Sequence, residues 1–124
     1  MSAGKDSDVR RILVVDDEEH IRKILRFQLE KNGYEVVIAE NGEAALKTVR
    51  RTMPDLILLD LMMPEQTGTG LYRKLHDHKD LREIPVIVIS GLAGRNVAVG
   101  RSVPVFDKPI DEQGLLAKIA EMTG

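Results

Sequence analysis

Five short apolar runs, at residues 12–15, 35–39, 56–59, 84–89 and 103–106, recur along a chain of 124 residues. They are rich in Val, Ile and Leu, and several show no polar alternation. Strands read this way when both faces of their sheet are covered. The segments between them carry helical spacing. Ile21, Ile24, Leu25 and Leu29 mark one helix over residues 19–31, stopped by Asn32-Gly33. Asn41 caps a second, with Ala45, Leu46 and Val49 on its buried stripe and Met53-Pro54 at its end. After Pro64, a loop containing Gly68 and Gly70 leads to a third, with Leu71 and Leu75 inward and an end near His78. Asp111 caps a last helix with Leu115, Leu116, Ile119 and Ala120 on one face. Strands alternating with helices give βαβ units on a parallel sheet, wound right-handed. The expected fold is α/β, one domain from residue 11 to 124 behind a flexible polar tail over residues 1–10.

Ligands of such sheets bind beyond the carboxyl ends of the strands, where the strand order reverses. The residues that follow the strands therefore matter most. The first strand delivers Asp16 and Asp17, the third Asp60, the fourth Ser90 and the fifth Lys108. Singly, each has an ordinary explanation. Acids favour the positive end of a helix dipole, so the turn from Asp16 to Glu19 reads as a solvated helix start. Ser90 reads as a turn hydroxyl and Lys108 as a surface amine. His20, His76 and His78 read as solvent-facing, and Met62 and Met63 as packing residues. Five polar groups on one rim are harder to set aside. Three carboxylates about 5 Å apart repel by roughly 3 kcal/mol per pair at an effective dielectric of about 20. A hard divalent cation relieves that, and Mg²⁺ suits a site with few protein ligands and several waters. Asp60 is then a nucleophile for phosphorus, with Ser90 and Lys108 on the transferring oxygens.

Composition narrows the alternatives. There is no cysteine, which rules out disulfides and thiolate metal sites and fits a cytoplasmic protein. A net charge of −2 with 3% aromatic residues argues against a nucleic-acid surface. No apolar run is long enough to span a bilayer.

The pair Asp16-Asp17, the segment from Asp60 through Leu61, Met62 and Met63 to Pro64, Ser90-Gly91 and Lys108-Pro109 together resemble a response-regulator receiver domain of two-component signalling. The likeness covers about residues 11–122. It implies a doubly wound, five-stranded, flavodoxin-like (CheY-like) sheet of order 2-1-3-4-5. It implies Asp60 as phosphoacceptor, and Asp17, Asp60 and the Met62 carbonyl as Mg²⁺ ligands, with Asp16 acting on the ion mainly through water. A cis Lys108–Pro109 peptide is implied too. The donor would be a sensor histidine kinase or a histidine phosphotransfer protein, and the reader a downstream protein effector. Such a domain is a signalling phosphoacceptor rather than an enzyme, a monomer or weak dimer. The chain ends at Gly124 after the last helix, so output is expected through protein contacts and without direct nucleic-acid binding or membrane insertion.

Two features depart from the family pattern. The aromatic residue usual three positions before the lysine is Val105 here, and Phe106, its neighbour, reads as core. The crossover from Ser90 to Lys108 is short by about one helical turn, with a stunted helix expected over residues 95–99. Thr67 and Leu92 also stand where other side chains are common, and bear on phosphate lifetime. A phosphorylation-independent interaction module is the alternative reading. An aspartyl-nucleophile phosphohydrolase lacks its second aspartate, since Met62 stands there, and a flavin binder would find its phosphate repelled by residues 16–19.

Overall fold

The structure, a computed structural model, describes residues 9–60, 68–90, 105–107 and 111–123, with residues 60, 68–72, 90 and 105–107 by backbone alone. Strands β1 (Arg11–Val15), β2 (Glu35–Ala39), β3 (Leu56–Asp60), β4 (Val86–Ser90) and β5 (Val105–Asp107) form one parallel sheet of order β2-β1-β3-β4-β5. The described helices are α1 (Glu19–Lys31), α2 (Gly42–Thr52), α3 (Gly68–Asp77) and α4 (Glu112–Thr123). None is long and apolar enough to cross a membrane.

Alternation along the strands splits the core into two layers. Leu13, Val15, Ile57, Leu59, Val86 and Val88 pack with Ala45 and Val49 of α2 and Leu75 of α3. Ile12, Val14, Leu56, Leu58, Ile87 and Ile89 pack with Leu25 and Leu29 of α1 and Leu115 and Ile119 of α4. Successive strand residues point to opposite faces. Both faces are covered, which is why the runs are apolar throughout.

The helix ends follow their local chemistry. Asn41 Oδ1 accepts the Ala44 N–H at 2.8 Å, an N-cap for α2. Asn41→Ala is expected to cost about 1 kcal/mol in urea unfolding, with an unchanged m-value. At the other end of α1, Tyr34 N–H donates to Leu29 O and Gly33 N–H to Glu30 O, both at 3.1 Å. That double bond pattern is a Schellman stop, and Gly33 sits at φ +94°, where a side chain would be strained.

Several sequence expectations need correction. Ile24 is 48% exposed, because the buried line through Ile21, Leu25 and Leu29 leaves it about 100° off centre. Ala120 is exposed for the same reason, lying beyond the line set by Leu115 and Ile119. Gly68 and Gly70 belong to α3 rather than to a loop. Glycine disfavours a helix by about 1 kcal/mol each, and burial of Leu75 against the sheet works against that cost. Strand β4 starts at Val86, not residue 84: Ile84 N–H is taken by Leu81 O at 3.1 Å, and Pro85 has no N–H to give. Strand β5 is described from Val105 to Asp107, one residue past the expected end at 106, and residues 103 and 104 lie outside the described residues. The short helix expected over residues 95–99, the Lys108–Pro109 peptide, Thr67 and Leu92 lie outside the described residues.

Candidate functional site

The register decides what meets at the carboxyl edge of the sheet. Val15 pairs with Leu59, so Asp16 and Asp60 come next at the same level on neighbouring strands. Asp60 is level with Ile89, and Ser90, one step on, is level with Asp107. Lys108 follows Asp107 directly in the chain, although it and Met62 lie outside the described residues. Asp16, Asp17, Asp60 and Ser90 thus stand on one edge, at backbone level, across β1, β3 and β4. Adjacent strands lie about 4.8 Å apart. Negative charge is therefore concentrated there.

The two acids of the pair are not equivalent. Asp17 is exposed, but Asp16 is only 1% exposed, which corrects the reading of this turn as solvated throughout. Asp16 still belongs to the ladder: its N–H donates to Ala39 O at 3.2 Å, extending the β1–β2 pairing by one residue. Its Oδ1 accepts the Glu18 N–H at 2.9 Å, and its carbonyl accepts from Arg22 Nη1 at 2.7 Å. Burying a carboxylate is costly without such bonds or a cation. Arg22 was not legible as part of the site. The signal for it is a basic residue in α1 close enough in sequence for its side chain to reach back over the turn before the helix.

The donor set fits Mg²⁺. Asp16 and Asp17 offer hard carboxylate oxygens at the rim, Asp60 follows Leu59 at the same backbone level, and the chain has no cysteine. Among the described side chains no group of three or more acids, histidines or cysteines converges. His20 and His76 are exposed as expected, whereas His78 is half-buried, a correction to its reading as solvent-facing. His76 and His78 belong to the region around the end of α3, and His78 accepts from Arg50 Nη2 at 3.0 Å.

Comparison with known proteins gives a consistent picture. The sequence pattern of the response regulator receiver domain matches residues 12–120. Response regulator PleD of Caulobacter vibrioides is 40% identical over 117 residues, 91% of this chain and 26% of PleD. The alkaline phosphatase synthesis transcriptional regulatory protein PhoP of Bacillus subtilis is 41% identical over 81 residues, 65% of this chain and 33% of PhoP. The chain therefore spans between a quarter and a third of these relatives. Among solved structures, the signal receiver domain of a signal transduction histidine kinase from Syntrophus aciditrophicus aligns with a TM-score of 0.84 at 32% identity, covering 93% of this chain and 90% of its own. A CheY-like receiver domain protein from Methanospirillum hungatei aligns with a TM-score of 0.79 at 31% identity, covering 93% and 94%.

Proposed function

This chain belongs to the response regulator receiver domain family, and from that premise we propose that it takes a phosphoryl group from a partner's phosphohistidine onto Asp60, in a Mg²⁺-dependent reaction. The register supports Asp60 as acceptor: it is the carboxylate that ends the central strand β3, between the acidic pair after β1 and the hydroxyl that ends β4. A carboxylate oxygen of Asp60 attacks phosphorus, the bond from phosphorus to the histidine nitrogen breaks, and that nitrogen leaves with the electron pair. The product is an acyl phosphate.

Asp17, Asp60 and the Met62 carbonyl would hold Mg²⁺, with Asp16 reaching it through water. The bound ion supplies positive charge against the phosphoryl oxygens. Lys108 offsets charge on the transferring group, and the Ser90 hydroxyl donates to one of its oxygens. Phosphorylation adds about −1.5 to −2 charge. Drawing Ser90 and Lys108 toward that charge shifts the loops after β4 and β5, and a protein effector reads the change. The donor is a sensor histidine kinase or a histidine phosphotransfer protein, and the setting is the cytoplasm. The domain acts as a monomer or weak dimer without membrane insertion or direct nucleic-acid contact. It assists its own phosphorylation and dephosphorylation but turns over no separate substrate.

Incubation with acetyl phosphate and Mg²⁺, followed by intact-mass measurement, is expected to show one added phosphoryl group, and none when EDTA replaces Mg²⁺. Uptake that survives the chelator would contradict the metal's part in this reading. No uptake in either buffer, with partner binding unaffected, is what a phosphorylation-independent interaction module would give.

A further inference from the structure

We propose that Arg22 is a positioning residue for the acidic pair: by holding the Asp16 carbonyl it fixes the direction in which Asp17 leaves β1, and so sets the affinity of the rim for a divalent cation. The inference rests on the function proposed above. Its observation is the 2.7 Å bond from Arg22 Nη1 to Asp16 O.

That oxygen belongs to the planar peptide joining Asp16 to Asp17. Gripping it stops the plane from rotating about the Asp16 backbone, and rotation of that plane would swing the Asp17 carboxylate. Asp17 is exposed, so packing does not hold it. Two further bonds of Asp16 act beside that grip: its N–H to Ala39 O holds it against β2, and Glu18 N–H to its Oδ1 closes the turn around Asp17. The Arg22 N–H donates to Glu18 O at 3.1 Å, so the residue that grips Asp16 O is itself tied to the start of α1. Its neighbours on α1 are used differently, Lys23 pairing with Glu19 at 3.3 Å and Arg26 with Glu30 at 3.1 Å. Arg22 is also half-buried, so its stem is steadied by packing.

Charge alone predicts the opposite sign. A guanidinium near a cation site opposes the cation, an effect that water and salt screen. Removing it would then tighten Mg²⁺ binding. Loss of the tether weakens binding instead, and a hydrogen bond from a charged donor is strong enough to dominate that small repulsion.

The test is calorimetric titration of wild type, Arg22→Ala and Arg22→Lys with Mg²⁺, together with ¹⁵N heteronuclear NOEs of Asp17 and Glu18 in metal-free buffer. Arg22→Ala is expected to raise the Mg²⁺ Kd about tenfold and to lower both NOEs, with the amides of β1 and β3 unchanged. Arg22→Lys, which keeps the charge and one donor group, should recover part of the affinity. An unchanged Kd with a lowered thermal midpoint would reduce Arg22 to a structural residue, and tighter binding in Arg22→Ala would make it a mere counter-charge. Either overturns the proposal. If wild type bound no Mg²⁺, the function proposed above would fail on its own account, and unchanged NOEs in the metal-free variant would separately show that no tether exists.

Discussion

Asp60→Asn is expected to gain no phosphoryl group from acetyl phosphate and Mg²⁺ under conditions that label the wild type. The carboxamide has nearly the carboxylate's shape but lacks its negative charge and nucleophilic oxygen, so the substitution removes the chemistry and spares the packing. Asp60 ends β3 at a level where its backbone pairs with Ile89, and asparagine makes the same ladder bonds. The variant should therefore fold. It should also be more stable than wild type when Mg²⁺ is absent. Asp16 and Asp60 stand level on strands about 4.8 Å apart, where two unit charges repel by roughly 1 kcal/mol in bulk water and about 3 at an effective dielectric of 20. Asp17 is exposed, so the watery end of that range applies to it. A gain of about 1–2 kcal/mol in EDTA, shrinking when Mg²⁺ is added to both proteins, is the expected result by urea unfolding. Equal stability in EDTA would mean that the rim charges are not crowded.

The second large effect lies beneath the rim. Leu58→Ala should destabilise the fold by about 3–4 kcal/mol. Leu58 is 1% exposed, pairs with Val14 on one side and Ile87 on the other, and belongs to the layer under α1 and α4. Its neighbours are held by two ladders and cannot close over the gap, so the cavity term adds to the lost transfer free energy. Against a total stability of about 5–15 kcal/mol, that loss is severe. The thermal midpoint should fall by roughly 15 °C, and phosphoryl uptake should persist below the new midpoint. A shift under about 4 °C would mean that the layer relaxes more freely than its packing implies.

The sequence was most informative where one force acted alone. Continuous apolar runs located the strands because both sheet faces are buried, and Asn41 and Gly33 marked helix ends because a cap oxygen and a positive φ leave few other choices. It was less informative where an apolar residue sits at the margin of a helix stripe. Ile24 and Ala120 have suitable side chains and the wrong phase, and the sheet decides how wide a stripe it covers. The start of β4 moved because the Ile84 amide is bonded within its own turn, a local bond that the apolar pattern of the run does not encode. The rim followed from topology, since parallel strands must deliver their following residues to a single edge. The burial of Asp16 did not follow. An acidic run looks solvated in sequence, and only the extension of the β1–β2 ladder draws its first member inside while leaving Asp17 in water.

An acyl phosphate can be trapped where it forms. Borohydride reduces it to the alcohol, turning an aspartyl phosphate into homoserine, whereas unmodified carboxylates are untouched. Wild-type protein treated with acetyl phosphate and Mg²⁺, reduced and then mapped by peptide mass spectrometry should carry homoserine at position 60 and at no other aspartate. Homoserine at Asp16 or Asp17, or label divided among the three, would contradict the account, because the carboxylates of the pair are there to hold the cation and the one that ends β3 to receive phosphorus.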